Sequence, residues 1–243
     1  MKLSLVIPVY NAADILENSI ATIIKQVKIP IKDYEVIIAE DGSTDGSDKL
    51  ALKLSKKFQN VRCICSRRRK GKGRAIKNAF KTARGELLAF MDVDLSSDPV
   101  CLPKMLKSLE SGADIAIGSR HLAGSKVKRG VVRSLASKSY NYLARALFST
   151  RINDMQCGFK AFRRSMLPVL LSAKSDGFFW DTEVLLTAEA SGACIAEVPI
   201  SWRENKKSKL KLVKDAFEMG ISLIRLRTRL RPVNITSIIS KDS

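Results

Sequence analysis

The sequence is poor in histidine, in acid and in long apolar runs. A single histidine, His121, stands among 243 residues, so a Ser-His-Asp or Cys-His relay could run only through that residue. No uncharged stretch approaches the ~20 apolar residues that a membrane-spanning helix needs. The N-terminal segment turns polar after residue 10, unlike a secretory leader. Five cysteines, at 63, 65, 101, 157 and 194, make an odd number without CxxC spacing, which speaks against a disulfide framework or a zinc site. Cys63 and Cys65 share a short apolar run and read as buried free thiols of a reducing compartment. Aromatic residues are 6% of the chain and no recognition motif accompanies the charge, so no nucleic-acid partner is expected. Acidic residues number 24 against 43 basic ones, a net charge of +19. That excess calls for a polyanionic partner, either phosphorylated substrates or an anionic membrane surface.

What is present suits one large α/β domain. Apolar runs at Leu3–Val9, Glu35–Ala39, Val61–Cys65, Leu87–Met91 and Asp114–Gly118 alternate with segments of helical spacing, the first of them over residues 13–27. Continuously apolar strands separated by helices predict a mostly parallel sheet covered on both faces. Ligands of such sheets bind beyond the carboxyl ends of the strands. The polar clusters fall there: Tyr10-Asn11 after the first strand, Glu40 to Gly46 after the second, and Asp92-Val93-Asp94 after the fourth. Residues 1–207 are expected to form the domain, and 208–243 a basic amphipathic helix with a polar tail.

Asp92 and Asp94 place two carboxylates at the mouth of a buried strand, where they repel unless a cation bridges them. Mg²⁺ or Mn²⁺, which takes few protein oxygens and the rest from phosphates, suits that pair; an ordinary acidic loop is the alternative. Glu40 to Gly46 reads partly as a turn and helix cap, but two successive acids leave a carboxylate for the N–H of a nucleobase. The Arg67–Arg74 run, with Lys72 between two glycines, precedes a helix and suits phosphate; a solvated charge run is its alternative. Residues 208–231 carry two apolar stripes ringed by Lys and Arg, one through Ile221 and Ile224, the other through Met219, Leu223, Leu226 and Leu230. This helix either lies in a membrane interface or packs on the domain or on a second copy, as in a homo-oligomer. A second basic amphipathic stretch covers 131–148.

VIPVYN, EDGSTDG, GKG, DVDLS, GSRH, DMQCGFKAF, FFWDTEVL and VPISW followed by SKL, in this order, resemble the family-2 glycosyltransferases. More narrowly they resemble the dolichyl-phosphate hexose synthases, over about residues 1–215. The resemblance implies a GT-A fold, a Rossmann-like nucleotide-binding sheet, here without a transmembrane span. It implies inverting transfer of a hexose from a nucleoside-diphosphate sugar to dolichyl or polyprenyl phosphate, on the cytoplasmic face of a membrane. UDP-glucose or a related UDP-hexose is favoured over GDP-mannose, and a non-lipid acceptor is a further alternative. By the same resemblance Pro8, Tyr10, Asn11, Glu40, Asp41, Ser43, Lys72 and Asp92 hold the nucleotide, and Asp92 and Asp94 hold the Mg²⁺ or Mn²⁺. Arg120, Arg133, Ser137, Arg203 and Lys209 meet the acceptor phosphate. Asp154, Gln156, Asp181 and Glu183 line the sugar pocket. Asp94, Arg120 and Arg203 carry the catalysis. Ala12, Ser96 and Arg69 depart from the residues that relatives often have at these places.

Overall fold

The computed structural model describes residues 2–28, 32–204 and 212–230. Its centre is a seven-stranded sheet built from β1 (Leu3–Val9), β2 (Tyr34–Glu40), β3 (Val61–Cys65), β4 (Leu87–Met91), β5 (Ile115–Ser119), β7 (Phe159–Arg163) and β8 (Ile195–Pro199). The spatial order is β3-β2-β1-β4-β7-β5-β8. All neighbours pair in parallel except β7, which runs antiparallel to both β4 and β5. Two short strands, β6 (Lys126–Lys128) and β9 (Ser201–Arg203), pair in parallel as a separate ribbon.

The period-2 alternation of β1 sends Leu3, Leu5, Ile7 and Val9 to one face and Val6 to the other, all buried. On the first face lie α1 (Ala13–Lys28), α2 (Ser47–Lys57) and α4 (Leu102–Glu110), which contribute Leu16, Ile20, Leu54 and Met105 to one core. On the other lie α3 (Lys72–Thr82), α5 (Val131–Phe148), α6 (Leu167–Ser172), α7 (Trp180–Ala190) and α8 (Leu212–Arg229). There Phe90 of β4 meets Trp180 edge-on and stacks near Phe162. A chain with apolar residues on both faces of its strands thus becomes a three-layer sandwich, as the sequence implies.

The loops at the strand ends are tied by caps. Asp45 Oδ1 accepts the N–H and hydroxyl of Ser47, the first residue of α2. Its other oxygen accepts the N–H of Ala13, and Ser47 Oγ accepts that of Ala12, so one loop caps the starts of both α1 and α2. Several readings of the sequence change at this level. Cys63 is only partly buried and Cys65 is exposed, because β3 is the edge strand. The apolar stripe of α8 through Met219, Leu223 and Leu226 is buried in the second core, while Ile224 on the other stripe is 59% exposed. Lys209 lies outside the described residues. No helix among the described residues is long and apolar enough to cross a membrane.

Candidate active site

Beyond the ends of β1, β2 and β4 opens a cavity of about 440 Å³ whose walls include Pro8, Tyr10, Asn11, Asp41, Lys72, Asp92 and Asp94. Seven of the residues read from the sequence therefore meet in one place. Tyr10 forms one wall, with the Arg69 guanidinium 4.2 Å over its ring. At the end of the neighbouring strand, both Asp41 oxygens accept backbone N–H groups, from Lys70 at 2.9 Å and Gly71 at 2.7 Å. Asp41 is thereby fixed, and each of its oxygens keeps a second lone pair for a ligand. The loop that supplies those N–H groups crosses close over Gly42 (φ +71°), where a Cβ would lie 2.3 Å from the Arg68 carbonyl carbon. Only glycine fits there.

The floor is a run of alternating charges. Lys72 Nζ stands 2.8 Å from Asp92 and 3.3 Å from Asp181, and Lys160 Nζ 2.6 Å from Asp181. Burial alone would push the Lys72 ammonium down, but Asp181 and Asp92 outweigh it and hold its pKa above the ordinary lysine value. Asp92 is displaced upward, first by loss of solvent and then by the repulsion of Asp94, against the pull of Lys72. Asp94 is held by the Ser96 N–H and hydroxyl, at 3.0 and 2.8 Å.

Asp92 owes its position to Gly158. The Asp92 N–H donates to the Gly158 carbonyl at 3.0 Å, and a Cβ on Gly158 would sit 1.7 Å from Asp92 Oδ2. A divalent cation fits these carboxylates. Their mutual repulsion is the kind that a bridging cation relieves, and two protein oxygens are the usual complement of Mg²⁺ or Mn²⁺ beside phosphates. No cluster of three or more candidate ligands occurs among the described residues, so phosphate oxygens and water would complete the shell.

Other expected site residues lie elsewhere, for physical reasons. Glu40 is buried and its Oε1 accepts the Ser43 N–H at 2.5 Å, while Ser43 Oγ accepts the Asn11 N–H at 2.9 Å. Both brace the loops behind the cavity instead of lining it. Arg120 and Asp154 form a closed two-pronged pair, with Nε and one terminal nitrogen each 2.7 Å from a carboxylate oxygen. Burial would raise Asp154, but Arg120 overrides it and holds the carboxyl below its usual value. The Arg120 guanidinium also lies 5.5 Å from the centre of the Trp202 ring. Gln156 reaches Met219 Sδ of α8 at 3.2 Å. Glu183 accepts the N–H groups of Lys174 and Ser175 and pairs with Arg229 of α8. Of the four expected sugar-pocket residues, Asp181 alone reaches the floor of the cavity, through Lys72. Ser137 is buried on α5, the helix on which Arg133 also stands. Arg203 is exposed on β9, and its N–H donates to the Ser96 carbonyl at 2.8 Å, which sets this residue beside the Asp94 turn.

The structure adds wall residues that sequence reasoning passed over, among them Asp14, Gly177 and Phe178. Phe178 was within reach, since it opens the FFWDTEVL motif. Lys160 was also missed: it sits in the motif DMQCGFK, but a fully buried lysine in mid-strand is visible only once its partner Asp181 is placed.

Residues 4–171 match the profile of glycosyl transferase family 2. The chain belongs to this family. It is 35% identical over 229 residues to glycosyltransferase AglD of Haloferax volcanii, an alignment that covers 93% of this chain and 37% of that protein. It is 34% identical to a dolichol-phosphate mannosyltransferase of Pyrococcus furiosus, covering 93% of this chain and 64% of the relative. With the human dolichyl-phosphate beta-glucosyltransferase the identity is 32%, over 94% of this chain and 75% of the relative. The chain thus spans between about a third and three quarters of the length of these relatives. Among solved structures, glucosyl-3-phosphoglycerate synthase of Mycobacterium tuberculosis, in complex with Mn²⁺, UDP and glucosyl-3-phosphoglycerate, superposes with a TM-score of 0.70 at 18% identity, covering 94% of this chain and 79% of the other. That likeness establishes the GT-A fold for this family member.

Proposed function

We propose that this glycosyltransferase moves a hexose, with inversion, from UDP-glucose or a related UDP-hexose to dolichyl or polyprenyl phosphate at the cytoplasmic face of a membrane. The observation that carries the proposal is the Asp92–Asp94 pair on the floor of a cavity walled by Tyr10 and Asp41. That arrangement offers one end to a nucleoside and the other to a diphosphate. The two dolichyl-phosphate hexosyltransferases among the relatives support the choice of acceptor.

The chemistry asks little of proton transfer. A phosphate monoester is mostly dianionic at neutral pH, its second pKa being ~6, so an acceptor oxygen can attack the anomeric carbon without a strong base. A chain with one histidine, placed away from the cavity wall, is consistent with this. Bound Mg²⁺ or Mn²⁺ would neutralise the charge that develops on the departing diphosphate. Asp92 and Asp94 would hold the ion, and Lys72, kept protonated by its two carboxylates, adds a fixed positive charge at the cavity floor. Arg203, exposed beside the Asp94 turn, is placed to meet the acceptor phosphate.

Attachment to the membrane rests on α5. Val131, Val132, Leu135 and Tyr142 are 83%, 73%, 65% and 70% exposed. Lys126, Lys128, Lys138 and Arg145 stand on or beside this element, a pairing of apolar and cationic groups that suits an anionic leaflet.

The test offers UDP-glucose, UDP-N-acetylglucosamine and GDP-mannose separately to the purified chain with polyprenyl phosphate and Mn²⁺, and weighs the lipid. A hexose-sized gain from UDP-glucose supports the proposal. A gain from GDP-mannose alone moves the chain to the mannosyl branch, a reading that the Pyrococcus relative favours. Transfer to a water-soluble acceptor and none to the lipid overturns the choice of acceptor.

A further inference from the structure

Two thiols that take no part in the transfer lie side by side on the edge of the sheet. Cys63 and Cys65 occupy one face of β3, with their sulfurs 3.0 Å apart. Cys65 is exposed and Cys63 partly buried. Their register is closely tied to the cavity: Cys65 pairs with Glu40, the residue before Asp41, and the next N–H, of Ser66, donates to the Glu40 carbonyl at 3.0 Å. The chain then runs through Arg69, which covers Tyr10, to the Lys70 and Gly71 N–H groups that hold Asp41. Whatever bends the end of β3 therefore pulls on a wall of the cavity.

We propose that Cys63 and Cys65 are a reversible oxidation site, at which a peroxide closes an intrastrand disulfide that distorts the 66–71 loop and weakens nucleotide binding. The loop coupling rests on the nucleotide reading above; the thiol chemistry does not. Residues two apart on an extended strand rise ~6.6 Å between them. That is near the upper end of the Cα separations a disulfide tolerates, roughly 4.4–6.8 Å, so closure must pinch the strand. The exposed Cys65 meets the oxidant first. Its thiolate attacks one peroxide oxygen, the O–O bond breaks, and a sulfenic acid forms as one water leaves. Cys63 sulfur then attacks Cys65 sulfur, the S–O bond breaks, and the departing hydroxide takes the Cys63 proton as a second water. Two thiols and one peroxide become one disulfide and two waters, with two electrons passing from sulfur to oxygen. Burial and the neighbouring Cys65 hold the Cys63 thiol well above its ordinary pKa, so Cys63 is not the sulfur that meets the oxidant first; its part in the resolving step rests on the 3.0 Å between the two sulfurs.

The full chain is treated with hydrogen peroxide, alkylated and mapped by peptide mass, and its affinity for UDP with Mn²⁺ is measured before and after. The expected result is loss of two hydrogens from the segment that carries both cysteines. Dithiothreitol should reverse the loss, Cys65→Ser should abolish it, and Cys194→Ser should leave it unchanged. UDP should bind about tenfold more weakly to the oxidised chain, the scale of one lost charge-assisted hydrogen bond, and recover on reduction. Two thiols still open to alkylation, or a gain of sulfinic or sulfonic oxygens instead, overturn the proposal. A disulfide with unchanged UDP affinity overturns its coupling to the cavity. Failure of the reduced chain to bind UDP counts against the nucleotide reading, and the mass map still decides the thiol pair.

Discussion

The two halves of the sheet use charge in opposite ways. Around β1, β2 and β4 the charged residues read from the sequence stand at strand ends, and Asp41, Lys72, Asp92 and Asp94 open onto one cavity. Around β5, β7 and β8 their counterparts turn toward each other. Asp154 closes on Arg120, Asp181 on Lys160, and Glu183 on Arg229 and two backbone N–H groups. Both halves are rich in acidic and basic motifs, so a motif by itself does not separate a ligand site from an internal brace. The difference lies in what the charged groups face: Lys72 pairs with Asp92 and Asp181 yet opens onto the cavity, whereas Arg120 with Asp154 and Glu183 with Arg229 are absent from its walls. Removing one partner of a closed pair should cost stability; removing a group that opens onto the cavity should cost function.

That contrast can be broken most sharply at Asp94. Asp94→Ala should lower transfer by about a thousandfold, the loss of several kcal/mol of charge stabilisation, with a melting temperature little changed. Retained transfer in the assay above would place the metal elsewhere. On the other half, Asp154→Asn should leave Arg120 buried without its counter-charge and cost about 3–5 kcal/mol in urea unfolding. Adding Arg120→Met should restore part of it. Full stability with lost transfer would instead move this pair from brace to site. Gly158→Ala sits on the boundary. The added methyl group must displace the Asp92 carboxylate, so Mn²⁺-dependent UDP binding should weaken about tenfold while stability falls by roughly 1–3 kcal/mol.

The smallest effect belongs to His121. Burial, with Arg120, Arg129 and Lys138 nearby, holds its imidazole below the usual pKa against the pull of Asp154. The folded state therefore favours the neutral ring. Its contribution is complete above the ordinary histidine value of ~6.5 and is lost as pH falls toward the lower folded value. A melting curve taken from pH 7 down to pH 5 should drop less steeply in His121→Gln than in the parent chain; parallel curves would show that His121 does not set the acid sensitivity in this range, where the carboxyl of Asp154, held below its usual value, stays ionised.

The first half was legible because hydrophobic runs and turn residues speak for themselves. Val61–Cys65 and Leu87–Met91 coincide with β3 and β4, and the acidic clusters that follow β2 and β4 mark the cavity as expected. The helical spacing of residues 13–27 became α1, Ala13–Lys28. The second half resisted for a stated reason. β7 (FKAFR) carries a lysine in mid-sheet that Asp181, 21 residues on, and the Cys157 carbonyl make tolerable. Its reversed direction leaves no mark in five residues. Likewise the caps that Asp45 and Ser47 place on α1 connect loops more than 30 residues apart, beyond any local pattern. Glu40 and Ser43 belonged to the right motif but to its scaffold, a distinction that depends on which way a carboxylate turns.

The reversed strand has one more consequence. A sheet with every strand aligned offers its working rim only the exits of strands, so each functional segment must be followed by a return across a face. β7 presents its entrance at that rim, and Gly158 comes to Asp92 from upstream. The stretch ahead of β7 therefore lies outside the crossovers that join β1 to β4. Variation in what this rim accepts could be written into that approach path while the nucleotide end stays as it is.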